Sequence, residues 1–182
     1  MAVTFNNFII RPITIDDVEK YFSFVEKNRD RIAPLFPVIA QSTLTLEDTH
    51  GYIKRRMERA EKKEYIIFVI VDIEINKIIG ATFLKAIDWK SLKSEIGAFV
   101  EESYEGKGIF SQALTIAIKH CFWVLELNKV FFKIHQNNVR YIRTAEKLGF
   151  TLEGVLREDF RGLDGKYADM MYFGLLKSDK GV

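Results

Sequence analysis

The chain is poor in several things that would otherwise set its class. It has one cysteine, Cys121, so no intramolecular disulfide can form and a disulfide scaffold is excluded. Its three prolines and the lack of any low-complexity linker speak for one continuous domain over residues 1–182. No repeat recurs at solenoid periods. No apolar run approaches the length of a membrane span, and Met1 to Asn7 has neither the basic start nor the apolar stretch of a signal peptide. A reducing, cytoplasmic setting is therefore expected. A charge excess is missing as well: 27 basic against 25 acidic residues give +2. In the most basic stretch, Lys54, Arg55, Arg56, Arg59, Lys62 and Lys63 are interleaved with Glu58, Glu61 and Glu64, as on a solvated helix face. No nucleic acid and no membrane partner is expected. His50, His120 and His135 have no metal-ligand spacing with one another or with Cys121, so no metal centre is expected either. Cys121 falls on an apolar stripe and reads as a small buried hydrophobe, not a nucleophile.

What is present is enough apolar bulk for a core: 48% hydrophobic residues, with 15 Phe and 7 Tyr. Phe8 to Thr14 reads as a short strand, and Thr14 with Asp17 resembles a capping signal. Val18, Tyr21, Phe22 and Val25 then recur at helical spacing. Ala33 to Thr43, with two prolines, reads as a loop, and a second helix runs from about Leu46 to Lys63. Tyr65 to Asp72 is an unbroken β-branched run, the mark of a strand covered on both faces. Strands follow at Ile78 to Ile87 and Ser94 to Val100. A helix beginning after Gly108 has its stripe at Phe110, Ala113, Leu114, Ala117, Cys121, Val124 and Leu125. Val130, Phe132 and Ile134 alternate as a strand, and Asn138 to Leu148 is a helix closed by Gly149. Strands near Leu152 to Asp159 and Lys166 to Leu176 flank a turn at Asp164-Gly165, and the tail from Lys177 reads as frayed. The order is mixed, which predicts an α+β fold: a mostly antiparallel sheet of about seven strands, flanked by about four helices. A parallel piece is expected where the helix after Gly108 crosses over.

The segment that carries chemistry runs from Ala98 through Gly106, Lys107 and Gly108 to Ala113: a strand, a glycine-bearing turn, then a helix start. Glycines let a backbone approach a ligand, and the first helical turn offers unpaired N–H groups at a positive dipole end. Together they suit a pyrophosphate, with Lys107 at the rim. The turn is too short for the dinucleotide fingerprint and lacks the Gly-Lys-Ser/Thr ending of a nucleotide P-loop.

The order of elements and this turn resemble the GNAT superfamily of N-acetyltransferases, most closely its RimJ/RimL branch, whose best known members acetylate N-terminal amines of ribosomal proteins. The resemblance spans nearly the whole chain, from Ile10-Arg11-Pro12 to Tyr172. It rests on Glu95-Ile96-Gly97 leading to Glu105-Gly106-Lys107-Gly108-Ile109, and on Asn138 followed by Ala145-Glu146-Lys147-Leu148-Gly149-Phe150. It rests also on Leu152-Glu153-Gly154-Val155-Leu156-Arg157-Glu158, followed by Asp164-Gly165-Lys166-Tyr167-Ala168-Asp169. It implies a sheet splayed at a coenzyme A cleft. Backbone N–H groups of Gly106, Gly108, Ile109, Phe110 and Ser111 would hold the pyrophosphate, and the strand Ala98, Phe99, Val100 would pair with the pantetheine arm. Asn138 would bond the coenzyme. Glu105 and Phe110 depart from the general pattern, which has Arg or Gln and Gly or Ala there. The side chain of Glu105 is expected to point away from the phosphates.

The resemblance implies direct acetyl transfer from acetyl-coenzyme A to an amine, which must be neutral to attack. An α-amine titrates near ~7.7–8.0 against ~10.4 for lysine, so it needs only a weak base. Backbone N–H groups near Phe99 and Val100 would steady the oxyanion. Glu95 is the candidate base; the alternative is a strand carboxylate paired with Lys93 or another cation. Tyr141 is the candidate acid toward the leaving thiolate, in a position where the branch has Ser; the alternative is a packing aromatic. Glu158 and Asp159 lie where some members place an acid, and Asp169 is either such an acid or a partner for Arg157.

The expected acceptor is a protein N-terminus, with a polyamine, aminoglycoside-like or other small amine as the alternative. The acceptor region is expected at the first helix, Arg29 to Phe36 and the final hairpin. With Arg29, Arg31, Leu35 and Phe36 there and only Asp30 acidic, a polycation is disfavoured. A non-catalytic coenzyme A-binding regulatory module is the reading of another class. Exposed strand edges and the C-terminal hairpin suit a homodimer.

Overall fold

The structure is a computed structural model and describes residues 2–179. Its strands are β1 (Val3–Phe5), β2 (Phe8–Pro12), β3 (Ile66–Asp72), β4 (Lys77–Asp88), β5 (Lys93–Val100), β6 (Lys129–His135), β7 (Thr151–Arg161) and β8 (Tyr167–Leu176). The helices are α1 (Val18–Lys27), α2 (Arg29–Ile32), α3 (Pro37–Gln41), α4 (Leu46–Glu61), α5 (Ile109–Trp123) and α6 (Val139–Lys147). The eight strands form one mixed sheet in the order β1-β2-β3-β4-β5-β6-β8-β7. Pairing is antiparallel at β1–β2, β2–β3, β6–β8 and β7–β8, and parallel at β5–β6.

The α+β class with its mostly antiparallel sheet is as expected. Among the described residues there are eight strands and six helices, where about seven and about four were expected. The additions are short. β1 has three residues, and α3 forms inside the stretch read as a loop because Pro37 stands at its first position, where a missing N–H costs nothing. The stripe on α5 holds from Ala113 to Cys121, but Val124 and Leu125 lie beyond the helix end and Val124 is exposed. Of the tail expected to fray, Lys177 donates its N–H to Asn128 at 2.9 Å, and the last three residues lie outside the described residues.

The chain divides into two compact units, Met1–Phe83 with Ala98–Leu114, and Leu84–Gly97 with Thr115–Val182. In the first, β3 carries the core as its unbroken apolar run demands. Ile67, Val69 and Val71 pack with Tyr21, Phe24 and Val25 of α1, Ile53 of α4 and Phe99 of β5. The entry to α1 is pinned by Asp17. Its buried carboxylate takes both Nη atoms of Arg11 at 2.7 Å, the Thr14 N–H at 2.9 Å and the Thr14 hydroxyl at 3.1 Å. In the second unit, Phe132 packs on Phe150, with ring centroids 4.4 Å apart, and is buried with Val130, Ile134 and Phe173.

Burial alone would push the Asp17 carboxyl up, but the Arg11 and Thr14 bonds outweigh it and hold it below the usual carboxylate range. Its contribution is therefore present at neutral pH and fades on acidification. Asp17→Ala removes the carboxylate that engages both Nη atoms of Arg11 and the N–H and hydroxyl of Thr14, and should lower stability by about 2–4 kcal/mol. A urea melt should show a lower midpoint at unchanged slope.

Candidate functional site

The turn between β5 and α5 lies wholly in the first unit. After Val100 the chain makes a 3-10 turn at Glu102–Tyr104, extends at Glu105, and passes through two left-handed glycines, Gly106 at φ +74° and Gly108 at φ +76°. α5 starts at Ile109, and the Gln112 N–H closes its first turn on the Gly108 carbonyl at 3.0 Å. Crowding is not the reason for glycine here. A Cβ on Gly106 would meet nothing within 4 Å, and one on Gly108 only the Gln112 amide at 3.8 Å. The requirement is conformational, and the space above the backbone is open. Open space over a helix start is what an anionic ligand needs, so the residues present fit a pyrophosphate.

Around the turn, Ala98, Phe99 and Val100 are buried, Ile109 is buried, Phe110 and Ser111 are half-buried, and Gly106, Lys107 and Gly108 are exposed. The Lys107 ammonium lies 5.4 Å from the Tyr104 ring centroid. Glu105 is turned into an ion pair with Arg31 of α2, and the Arg31 guanidinium lies 5.2 Å from the Phe99 ring centroid. The pair gives the carboxylate a cation and fixes its direction. The Tyr104 hydroxyl donates to Asp72 at 3.0 Å, and burial with that carboxylate pushes the phenol up to about 12. Arg29 is held by Glu26 and by the carbonyls of Ala40 and Thr43 at 2.6 and 2.7 Å.

In the second unit, Glu95 is buried and its Oε1 lies 2.9 Å from the Lys85 ammonium. Lys85, on β4, is thus the resident cation. Ser94 beside it donates its hydroxyl to the Lys85 carbonyl at 3.0 Å. The parallel register of β5 and β6 is Lys93↔Lys129, Ser94↔Val130 and Glu95↔Phe131. Phe131 stacks on Tyr172 with centroids 4.6 Å apart, and the Tyr172 phenol is pushed up to about 12 by burial and by Glu153 and Glu95. Asn138 caps α6, its side-chain oxygen accepting the Tyr141 N–H at 3.2 Å. The Tyr141 ring sits edge-on to Phe132 at 5.2 Å, with its hydroxyl oxygen buried.

The hairpin candidates separate. Asp159 pairs with Lys133 at 2.8 Å. Asp169 accepts the N–H of Glu158 at 2.9 Å, so its partner is this backbone and not Arg157. Glu158 stands at φ +53° inside the irregularity between Leu156 and Phe160, where Arg157, Glu158 and Asp159 face the single residue Asp169 of β8. His50 and His120 lie in helices and His135 ends β6, as expected. Among the described residues no three His, Cys, Asp or Glu groups come together as metal ligands, and no helix is long and apolar enough to cross a membrane. Sequence reasoning missed Glu101 entirely. Its carboxylate is buried between Lys27 of α1 and Lys77 of β4, at 2.5 and 2.6 Å. The only signal was an acidic residue directly after a buried strand.

A family model for the acetyltransferase (GNAT) domain matches residues 7–151. The "Probable N-acetyltransferase YjcK" of Bacillus subtilis is 28% identical over 171 residues, covering 93% of this chain and 94% of that protein. The spermidine N(1)-acetyltransferase of Vibrio cholerae is 26% identical over 159 residues, 87% of each chain. The crystal structure of ribosomal-protein-S5-alanine acetyltransferase from Vibrio fischeri matches with a TM-score of 0.91 at 22% identity, covering 100% of both chains, a likeness of fold.

Cys121 is fully buried on α5, and burial pushes its thiol up to about 12. A neutral, enclosed thiol is a poor nucleophile. Ellman's reagent should leave it unmodified in the native protein and titrate one thiol in denaturant; rapid labelling of the native protein would contradict this placement.

Proposed function

Because the chain belongs to the GNAT acetyltransferase family, we propose that it carries an acetyl group from acetyl-coenzyme A directly to the N-terminal α-amine of a protein such as a ribosomal protein. Acetyl-coenzyme A is its co-substrate, and its class is that of an N-acetyltransferase. Residues 1–182 serve as one catalytic domain in this reading. The observation that carries the coenzyme assignment is the doubly left-handed turn at the start of α5, with open space where a Cβ on Gly106 or Gly108 would stand. Those of Gly106, Gly108, Ile109, Phe110 and Ser111 hold the pyrophosphate, and Ala98, Phe99 and Val100 pair along the pantetheine arm. Asn138 keeps its amide N–H groups for the coenzyme, since its oxygen is spent on the cap.

Glu95 takes the proton from the attacking amine, and Tyr141 supplies one to the departing thiolate. The α-amine is favoured as acceptor because it is partly neutral near pH 7 and asks little of the base. The acceptor side, around α2, holds two arginines, each already tied to a glutamate. No excess of carboxylates is left there for a polycation. The spermidine relative keeps a small amine as the second reading.

Titration calorimetry tests the coenzyme site. The parent should bind acetyl-coenzyme A and not ATP, and Gly108→Glu should abolish binding by filling the open space over the turn. A well-folded parent that binds no coenzyme overturns the assignment. For the base, Glu95→Gln should lower kcat by roughly 10²–10⁴ while coenzyme affinity stays near that of the parent. A change in melting temperature without a change in kcat would assign Glu95 to its ion pair with Lys85 alone. Ribosomal N-terminal peptides compared with spermidine then decide the acceptor.

A further inference from the structure

A site made of backbone N–H groups binds only if the chain carrying them is already in shape, since ordering it at the moment of binding costs affinity. Three side chains of the β5–α5 turn are tethered within the first unit: Glu101, Tyr104 to Asp72 of β3, and Glu105 to Arg31 of α2. Glu101 is the most heavily engaged. Its Oε1 accepts from the Lys27 ammonium at 2.5 Å and the Ser103 hydroxyl at 2.9 Å, and its Oε2 from the Lys77 ammonium at 2.6 Å. Its N–H donates to the Ile79 carbonyl of β4 at 2.8 Å, and its carbonyl accepts the Tyr104 N–H that closes the 3-10 turn, at 3.0 Å. It is 3% exposed, so water cannot stand in for a lost partner. A carboxylate that only ended a strand would need one cation. This one gathers α1, β4 and the first residue of the turn at a single point.

We propose that Glu101 is a positioning residue for acetyl-coenzyme A: by locking the departure of the turn from β5 against Lys27 and Lys77, it holds the backbone N–H groups of Gly106 to Ser111 ready for the pyrophosphate. This rests on the coenzyme assignment above and names the device that makes that site work. Glu101 does not touch the reacting atoms, so its removal costs coenzyme binding and spares the chemical step. Burial by itself would push its carboxyl up, but the hydrogen bonds from Lys27, Lys77 and Ser103 hold it at about 2, so the lock stays charged across the working pH range.

The test measures coenzyme Kd by calorimetry, together with kcat and both KM values, for the parent, Glu101→Gln, Glu101→Asp and Lys77→Met. Glu101→Gln cannot accept two ammonium groups, and it should raise Kd and KM for acetyl-coenzyme A by about tenfold, with kcat at saturating coenzyme and acceptor KM within about twofold. Glu101→Asp should recover part of the affinity, and Lys77→Met should shift Kd the same way by about threefold. Should Glu101→Gln not fold, Lys77→Met carries the test, because Lys77 is a third exposed on its side chain and its loss leaves Lys27 and Ser103 on the carboxylate. Variants that fold and bind the coenzyme as tightly as the parent overturn the proposal and leave the coenzyme assignment standing. So does a fall in kcat at unchanged Kd. A folded parent that binds no acetyl-coenzyme A overturns both.

Discussion

The site proposed at the turn between β5 and α5 is made of backbone N–H groups, and a backbone site is only as good as whatever keeps its shape. Two left-handed glycines are the freest residues a chain can contain, so the same substitution that opens space for a ligand raises the entropy of the unbound turn. The structure answers with tethers placed just before the glycines. Glu101 is locked to Lys27 and Lys77, Tyr104 reaches Asp72, and Glu105 reaches Arg31. The flexible part is therefore bounded on one side by fixed side chains and on the other by the first turn of α5.

Charge follows from the same constraint. Acids at 101, 102 and 105 directly before a turn proposed to hold a pyrophosphate look misplaced on paper. Two of the three are neutralised by cations from elsewhere in the first unit, so they serve as anchors without presenting free negative charge to a phosphate. The pairing of Arg31 with Glu105 also takes a cation out of the region expected to receive the acceptor. What an amine meets there is set by the pairs and not by the count of basic residues.

Much of this was legible in the sequence where the signal is local. The β-branched run of β3, the stripe on α5 through Cys121, the glycine at the end of α6 and the turn before α5 each depend on residues within a few positions of one another. The missed features depend on residues far apart. Lys27 and Glu101 are separated by 74 positions, as are Arg31 and Glu105, and no periodicity links them. α3 was hidden for a different reason: Pro37 marks a loop or the first residue of a helix equally well, and only the burial of Ile39 and Ala40 decides. The irregularity in the last hairpin, with Glu158 at positive φ, shows only in the register of β7 on β8.

The pairing of Glu95 with Lys85 sharpens what the proposed base has to do. Its Oε1 is engaged by the Lys85 ammonium at 2.9 Å, and any carboxylate is a weak base toward an amine. A weak base suffices only for an acceptor that is already partly neutral near pH 7. An α-amine meets that condition and a lysine or spermidine amine meets it far less well. With a carboxylate as the proposed base, the α-amine is favoured on chemical grounds, independently of any likeness to ribosomal-protein acetyltransferases. The acceptor preference would then follow in part from the chemistry of the proposed base, as well as from the residues that touch the acceptor chain.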